Sequence, residues 1–269
     1  MSTAGKWRVN LSNADRMRIC AVQHRVCAER EATLCRIESL IDSSAADLYV
    51  LPEMFASGFE MDAKSVAEPP CGPTFGWMQQ VAKRKDAAVA GSVAVCDGGR
   101  YFNRLYFVWP DGTHISYDKR HLFAYSGENL HYSQGSKRVV ATYKGVRFLL
   151  QICYDLRFPV WSRNVRDYDV AIYVASWPVN RIGVWDLLLQ ARAVENQCYV
   201  VGANRVGDDS MCHYTGHAAI IDPYGRKISE CDSEDEAVAT AEINMERLAA
   251  FREKFPVLSD SDSFSIAGT

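Results

Sequence analysis

No apolar run in the sequence approaches the ~20 residues that a membrane-spanning helix needs, so a bilayer partner is not expected. There is no C-x-x-C pair, which argues against a zinc ribbon or a thioredoxin-like redox motif. The 9 cysteines are odd in number. Several lie inside apolar runs such as Arg18-Ile19-Cys20-Ala21-Val22, where a thiol behaves as a small hydrophobe. A disulfide-stapled secreted domain is therefore not expected, since a chain of 269 residues can bury a core without staples. Long basic runs are missing too. With 30 basic and 33 acidic residues and a formal charge of −3, there is no electrostatic case for nucleic acid. No G-x-S-x-G, P-loop or dinucleotide fingerprint occurs. Residues 1–16 are largely polar and lack the apolar centre of a signal peptide. The expected compartment is reducing and cytoplasmic.

What is present is an alternation of apolar strands and amphipathic helices. Residues 17–23 read as a buried strand, and 29–43 as a helix with Leu34, Ile37, Leu40 and Ile41 on one face. A strand over 47–51 ends at Pro52, a helix covers 74–85 and a strand 87–96. The turn signals Asp97-Gly98-Gly99 and Pro110-Asp111-Gly112 bracket 101–109 and lead into 113–117, an antiparallel meander. The rhythm then repeats. Strands are expected at 146–153, 169–176 and 198–203, a helix after Pro159 and another over 185–196, and a hairpin around Pro223-Tyr224-Gly225. This pattern predicts an α/β layered fold with mixed sheets. No Pro/Ser-rich linker divides it, so the expectation is one domain over 17–269 preceded by a polar extension over 1–16. The acidic run Ser233-Glu234-Asp235-Glu236 reads as a solvated turn.

Three segments carry a reactive side chain at or just beyond the end of a strand: Glu53 after 48–52, Lys119 after 115–118 and Cys153 after 148–152. Strand ends of α/β folds aim loop residues into one crevice. An acid, an amine and a thiol meeting there make a nucleophilic site. A free thiol is mostly protonated at neutral pH, so Glu53 is the candidate to accept its proton. Lys119 and the backbone N–H of Tyr154 are candidates to hold an oxyanion. Such a scheme needs no metal and no organic cofactor, only a small amide substrate and water. Taken singly, each residue has an ordinary alternative: a loop carboxylate, a solvated strand end, a buried core thiol. His213 and His217 beside Cys212 have ligand-like spacing, but no further ligand clusters with them and Gly216 signals a turn. Arg157 reads as a structural ion-pair partner.

The blocks Leu51-Pro52-Glu53-Met54-Phe55, Tyr117-Asp118-Lys119-Arg120-His121-Leu122-Phe123 and Cys153-Tyr154-Asp155-Leu156-Arg157-Phe158-Pro159 resemble the nitrilase, or carbon–nitrogen hydrolase, superfamily in its own order. The resemblance implies a four-layer αββα sandwich that usually dimerises. It also implies a Glu–Lys–Cys triad of Glu53, Lys119 and Cys153, with Glu128 as a second glutamate supporting the lysine. Asp118 to Phe123 together with Ser176-Trp177-Pro178 is similar to the omega-amidase branch, whose members hydrolyse the terminal amide of short 2-oxo acid amides such as 2-oxoglutaramate. Ser176 stands where that branch often carries asparagine. A carboxylate-bearing substrate calls for a pocket cation, with Arg181 the candidate by position. Phe123 and Trp177 are candidates to wall the pocket or are simply core aromatics. The other possibilities are a carbon–nitrogen hydrolase acting on an N-carbamoyl compound, a nitrile or a modified peptide amide, and a catalytically silent binding scaffold.

Overall fold

Most strands here are apolar at successive positions rather than at alternate ones, the mark of strands covered on both faces. The computed structural model, which describes residues 16–266, resolves them into two six-stranded mixed sheets and a small two-stranded ribbon. The extension expected over 1–16 lies outside the described residues except for Arg16, which opens the first strand and pairs with Asn244.

The first half of the chain supplies β1 (Arg16–Gln23), α1 (Arg30–Asp42), β2 (Leu48–Val50), α2 (Ala63–Val66), α3 (Pro73–Lys85), β3 (Ala88–Asp97), β4 (Arg100–Val108) and β5 (His114–Asp118). After α4 (Glu128–His131) come β6 (Val140–Tyr143), β7 (Val146–Ile152), α5 (Pro159–Ser162), β8 (Val170–Ala175), α6 (Ile182–Asn196) and β9 (Tyr199–Asn204). The ribbon strands β10 (Val206–Asp208) and β11 (His213–Thr215) precede β12 (Ala219–Ile221), β13 (Lys227–Glu230), β14 (Ala237–Asn244) and α7 (Met245–Lys254). One sheet has the order β14-β1-β2-β3-β4-β5 and the other β13-β12-β9-β8-β7-β6. Each has a parallel centre, β1-β2-β3 in one and β7-β8-β9 in the other, with antiparallel strands outside it. The meander expected over 87–117 is β3-β4-β5.

Period-two alternation sorts the core into three layers. Ile19, Ala21, Leu48 and Val50 face Phe148, Leu150, Ile152, Val170 and Ile172 between the sheets. Their neighbours Cys20, Val22 and Tyr49 point the other way, onto Ile37 and Ile41 of α1 and Met78 and Val81 of α3. On the far side, Leu149, Ala171 and Tyr173 meet Trp185 and Leu189 of α6. The result is the four-layer αββα sandwich with mixed sheets. Among the described residues no helix is long and apolar enough to cross a membrane.

His24, just past β1, is fully buried, with Nδ1 2.8 Å from the Arg25 carbonyl and no partner for Nε2 among the described residues. Burial, reinforced by the nearby Arg205 charge and only partly opposed by that carbonyl, lowers its pKa from 6.5 to about 4. The unfolded chain therefore takes up this proton first on acidification, so the stabilisation is complete above pH 6.5 and lost as pH falls towards 4. That gap is worth about 3 kcal/mol at 1.36 kcal/mol per pH unit. Urea unfolding at pH 7.5 and pH 4.5 should show a drop larger by about that amount in the parent than in His24→Gln. Equal drops in the two proteins would discard the assignment.

Candidate active site

The ends of β2, β5, β7 and β8 converge on one crevice between the sheets. Glu53 stands three residues past β2, Lys119 directly after β5, Cys153 directly after β7 and Ser176 directly after β8. Lys119 is held by its backbone, its N–H donating to the Asn103 carbonyl at 2.9 Å and its carbonyl accepting from Gly135 N–H at 2.9 Å. Gly135 has to be glycine, because a Cβ there would lie 2.1 Å from the Asp118 carbonyl oxygen.

The Lys119 ammonium donates to Glu53 Oε1 at 2.8 Å and to both oxygens of Glu128 at 3.0 Å. All three side chains are at most 1% exposed. Asn103 Nδ2 donates to Glu53 Oε1 at 2.7 Å, and Ser176 N–H donates to Glu53 Oε2 at 2.9 Å. Glu128 is fixed in turn by the Phe123 N–H at 2.6 Å. Two buried carboxylates thus share one ammonium, and the Glu53 oxygens are aimed by donors from both sheets.

The strand expected over 146–153 is one residue shorter. Cys153 begins a 3-10 turn, Cys153–Arg157, with φ of 46°. A non-glycine residue in this left-handed region costs roughly 1–2 kcal/mol. The sharp turn leaves the thiol partly open to the pocket although protein surrounds it closely. Burial pushes the Cys153 thiol well above the ordinary thiol range, and the Glu53 charge and hydrogen bond push it further, against the pull of Lys119. Burial also works against the Lys119 charge, but Glu128 and Glu53 outweigh it and keep the ammonium protonated. Glu128 is raised by burial, with Lys119 drawing it back. At neutral pH the resting pair is a thiol and an ammonium.

The pocket contains Glu53, Lys119, Cys153 and Ser176. Its walls are Phe59, Phe123, Tyr154 and Trp177, with Arg157 and Arg181. Trp177 is both wall and core, 3% exposed and packed with the α6 layer. The Arg181 guanidinium lies 5.2 Å over the Phe123 ring, and that of Arg157 5.1 Å over the Trp177 ring. The reading of Arg157 as an ion-pair partner is corrected. Among the described residues no carboxylate lies within 4.0 Å of it, and it lines the pocket together with Cys153, four residues earlier in the same 3-10 turn. That spacing was the available signal, as it was not for Phe59 or Asn103, which are brought in by distant elements. His213 and His217 turn to separate carboxylates, Asp208 and Glu234 for the first and Asp186 for the second. Among the described residues no cluster of three or more His, Cys, Asp or Glu is arranged to hold a metal.

The arrangement can form and hydrolyse a thioester: a thiol, a carboxylate placed to move its proton, and a cation beside the developing charge. A carbon–nitrogen hydrolase model matches residues 18–253. Omega-amidase YafV of Yersinia enterocolitica is 46% identical over 244 residues, 90% of this chain and 95% of that protein. The 2-oxoglutaramate amidase of Bacillus subtilis is 36% identical over 224 residues, 81% of this chain and 86% of that protein. Among solved structures, XC1258 from Xanthomonas campestris, a CN-hydrolase superfamily protein carrying an arsenic adduct in its active site, is 40% identical. It superposes with a TM-score of 0.90 and covers 94% of this chain and 99% of its own. Nit3 of Saccharomyces cerevisiae, in branch 10 of the nitrilase superfamily, is 27% identical with a TM-score of 0.82, covering 91% of this chain and 97% of its own.

Proposed function

This chain belongs to the carbon–nitrogen hydrolase family and hydrolyses amides, and from that premise we propose that its substrate is a small carboxylate-bearing amide of the 2-oxoglutaramate or 2-oxosuccinamate type. Omega-amidase and 2-oxoglutaramate amidase relatives support the class. The observation that carries the reading is the pair of arginines, Arg157 and Arg181, lining the pocket of the thiol with no ion-pair partner among the described residues. Guanidinium groups without a protein carboxylate suit a substrate that brings one.

In the proposed cycle Cys153 sulfur attacks the amide carbon while its proton passes to Glu53. The oxygen that becomes negative is held by Lys119 and the Tyr154 N–H. Collapse breaks the C–N bond, Glu53 returns the proton to nitrogen, and ammonia leaves behind a thioester. Water then attacks that thioester, giving its proton to Glu53, and the Cys153 thiol is re-formed as the acid departs. Because the thiol rests protonated, proton transfer and attack go together rather than from a standing thiolate. Glu128 keeps Lys119 charged and in place.

Ammonia release from 2-oxoglutaramate should exceed that from asparagine or a simple nitrile. Arg157→Met and Arg181→Met should each raise KM for 2-oxoglutaramate about tenfold to a hundredfold, the worth of a hydrogen bond to a charged group, with little effect on acetamide. A faster reaction with the nitrile, or equal losses on both amides, would move the substrate elsewhere.

Residues 17–269 form one catalytic unit in this proposal, and two copies pair through α6. Its outward face presents Leu187, 65% exposed, and Val194, 52% exposed, a surface suited to a second apolar face. Sedimentation velocity should give a dimer that Leu187→Lys splits. A parent that sediments as a monomer would discard the pairing. We place the enzyme in the cytoplasm, a setting that its 9 free thiols suit; cell fractionation recovering it outside the cytoplasm would overturn this.

A further inference from the structure

Two residues beyond the nucleophile, Asp155 is fully buried and makes no contact with the pocket. A buried carboxylate is tolerated only when its lone pairs are filled, and here each oxygen accepts two hydrogen bonds. Oδ2 accepts from Tyr117 Oη at 2.7 Å and from Ile152 N–H at 3.0 Å. Oδ1 accepts from His121 N–H at 3.0 Å and lies 2.8 Å from His121 Nδ1, which donates in the tautomer that suits a carboxylate. The Tyr117 oxygen in turn accepts from Trp161 Nε1 at 3.0 Å and from the Arg120 N–H at 3.1 Å.

These partners come from opposite sheets. Tyr117 is on β5, and Arg120 and His121 are the two residues after Lys119. Ile152 is the last residue of β7, and its N–H lies one residue before Cys153. One carboxylate therefore ties the peptide leading into the nucleophile turn to the peptides leaving the lysine. The apolar layer between the sheets is non-directional and sets their spacing, whereas hydrogen bonds with fixed donors set how one edge registers on the other. The left-handed turn at Cys153 needs such a restraint, since an unpinned backbone relaxes towards extended conformations. The tie also reaches the pocket wall, for His121 stacks on Phe158 with centroids 3.8 Å apart, and Phe158 meets the Tyr154 ring edge-on at 5.1 Å.

We propose that Asp155, with Tyr117 and His121, is the positioning group that registers the Cys153 turn of one sheet against Lys119 of the other, and that turnover depends on it although none of the three touches substrate. The inference rests on the assignment of Cys153 and Lys119 above. A displacement near 1 Å between reacting groups costs on the order of 10²-fold in rate, so loss of the tie falls on kcat rather than on KM.

The test uses Tyr117→Phe, which keeps the ring in the core, beside Asp155→Asn and the double variant, all assayed with 2-oxoglutaramate. Tyr117→Phe should lower kcat about tenfold and Asp155→Asn on the order of 10²-fold, with KM changed less than about threefold. Single-turnover ammonia release should slow by the same factors. The double variant should be no slower than Asp155→Asn, because both changes open one network. Tyr117→Phe alone decides the matter if Asp155→Asn does not fold. A Tyr117→Phe enzyme with parental kcat, or one altered only in KM, overturns the inference while leaving the mechanism standing. Full turnover in Cys153→Ala would instead remove the mechanism beneath it.

Discussion

Cys153→Ala should lower kcat for amide hydrolysis by about 10⁴-fold or more, the scale on which removal of a nucleophile is felt in covalent hydrolases. The size follows from what remains. Lys119 and Glu53 keep their mutual contacts, the arginines still line the pocket, and substrate binding should persist with KM little changed. What is lost is the sulfur that splits one difficult displacement into two easier ones. Water cannot simply substitute, since the turn that aims the thiol is built around residue 153 itself. Rapid acid quench of the parent enzyme during turnover, followed by intact-mass measurement, should reveal one acyl group, mapped by digestion to Cys153. The alanine variant should carry none. An acyl group on any of the other thiols, or turnover within tenfold of the parent, would refute the assignment.

The second large effect is expected at Lys119. Lys119→Met removes the one cation that, among the described residues, pairs with Glu53 and Glu128, both essentially shut off from solvent. Breaking a buried ion pair by deleting one partner typically costs about 3–5 kcal/mol. The oxyanion also loses its cationic neighbour, which should lower kcat by about 10²–10³-fold. The two losses can be separated. Adding Glu128→Gln to Lys119→Met withdraws one of the stranded carboxylates and should recover much of the stability but none of the rate. The pH dependence has a definite sign. Burial already raises Glu128 in the parent against the pull of Lys119, so without the lysine its folded pKa lies further above the unfolded value. The single variant should therefore be more stable at low pH, losing stability as pH rises through that folded value. Urea titrations at pH 5 and pH 7.5 check this. Stability of Lys119→Met equal to the parent at pH 7.5 would mean that water reaches the cluster.

How far all this could be read beforehand varied with the kind of information. Strands buried on both faces write themselves as apolar runs, so β1, β3, β7 and β8 were legible to within a residue or two. The acid, amine and thiol stand out because each sits at or just beyond the end of a strand. Their meeting did not follow from periodicity, since Glu53 and Lys119 are 66 residues apart and only the pairing of strands brings them to 2.8 Å. The family resemblance supplied that step. The positive φ at Cys153 leaves no trace, since no glycine or asparagine stands there to signal a left-handed residue. Arg157 makes no ion pair with Asp155 nearby, because that carboxylate is already filled by four other donors. Residues 237–254 yielded no element. Only three residues of β14 are buried, and its place beside β1 comes from a pairing more than 200 residues away.

The tightly held proton on Cys153 has a consequence outside catalysis. Peroxides and electrophilic metabolites strike thiolates far faster than thiols, and oxidation beyond the first step destroys the residue. A sulfur whose charged form is disfavoured by its own surroundings offers such agents little to react with while the site stands empty. The substrate carbonyl, arriving between Lys119 and the thiol, supplies the place for charge that the empty site withholds. Reactivity of this sulfur is then expected to rise when substrate occupies the site.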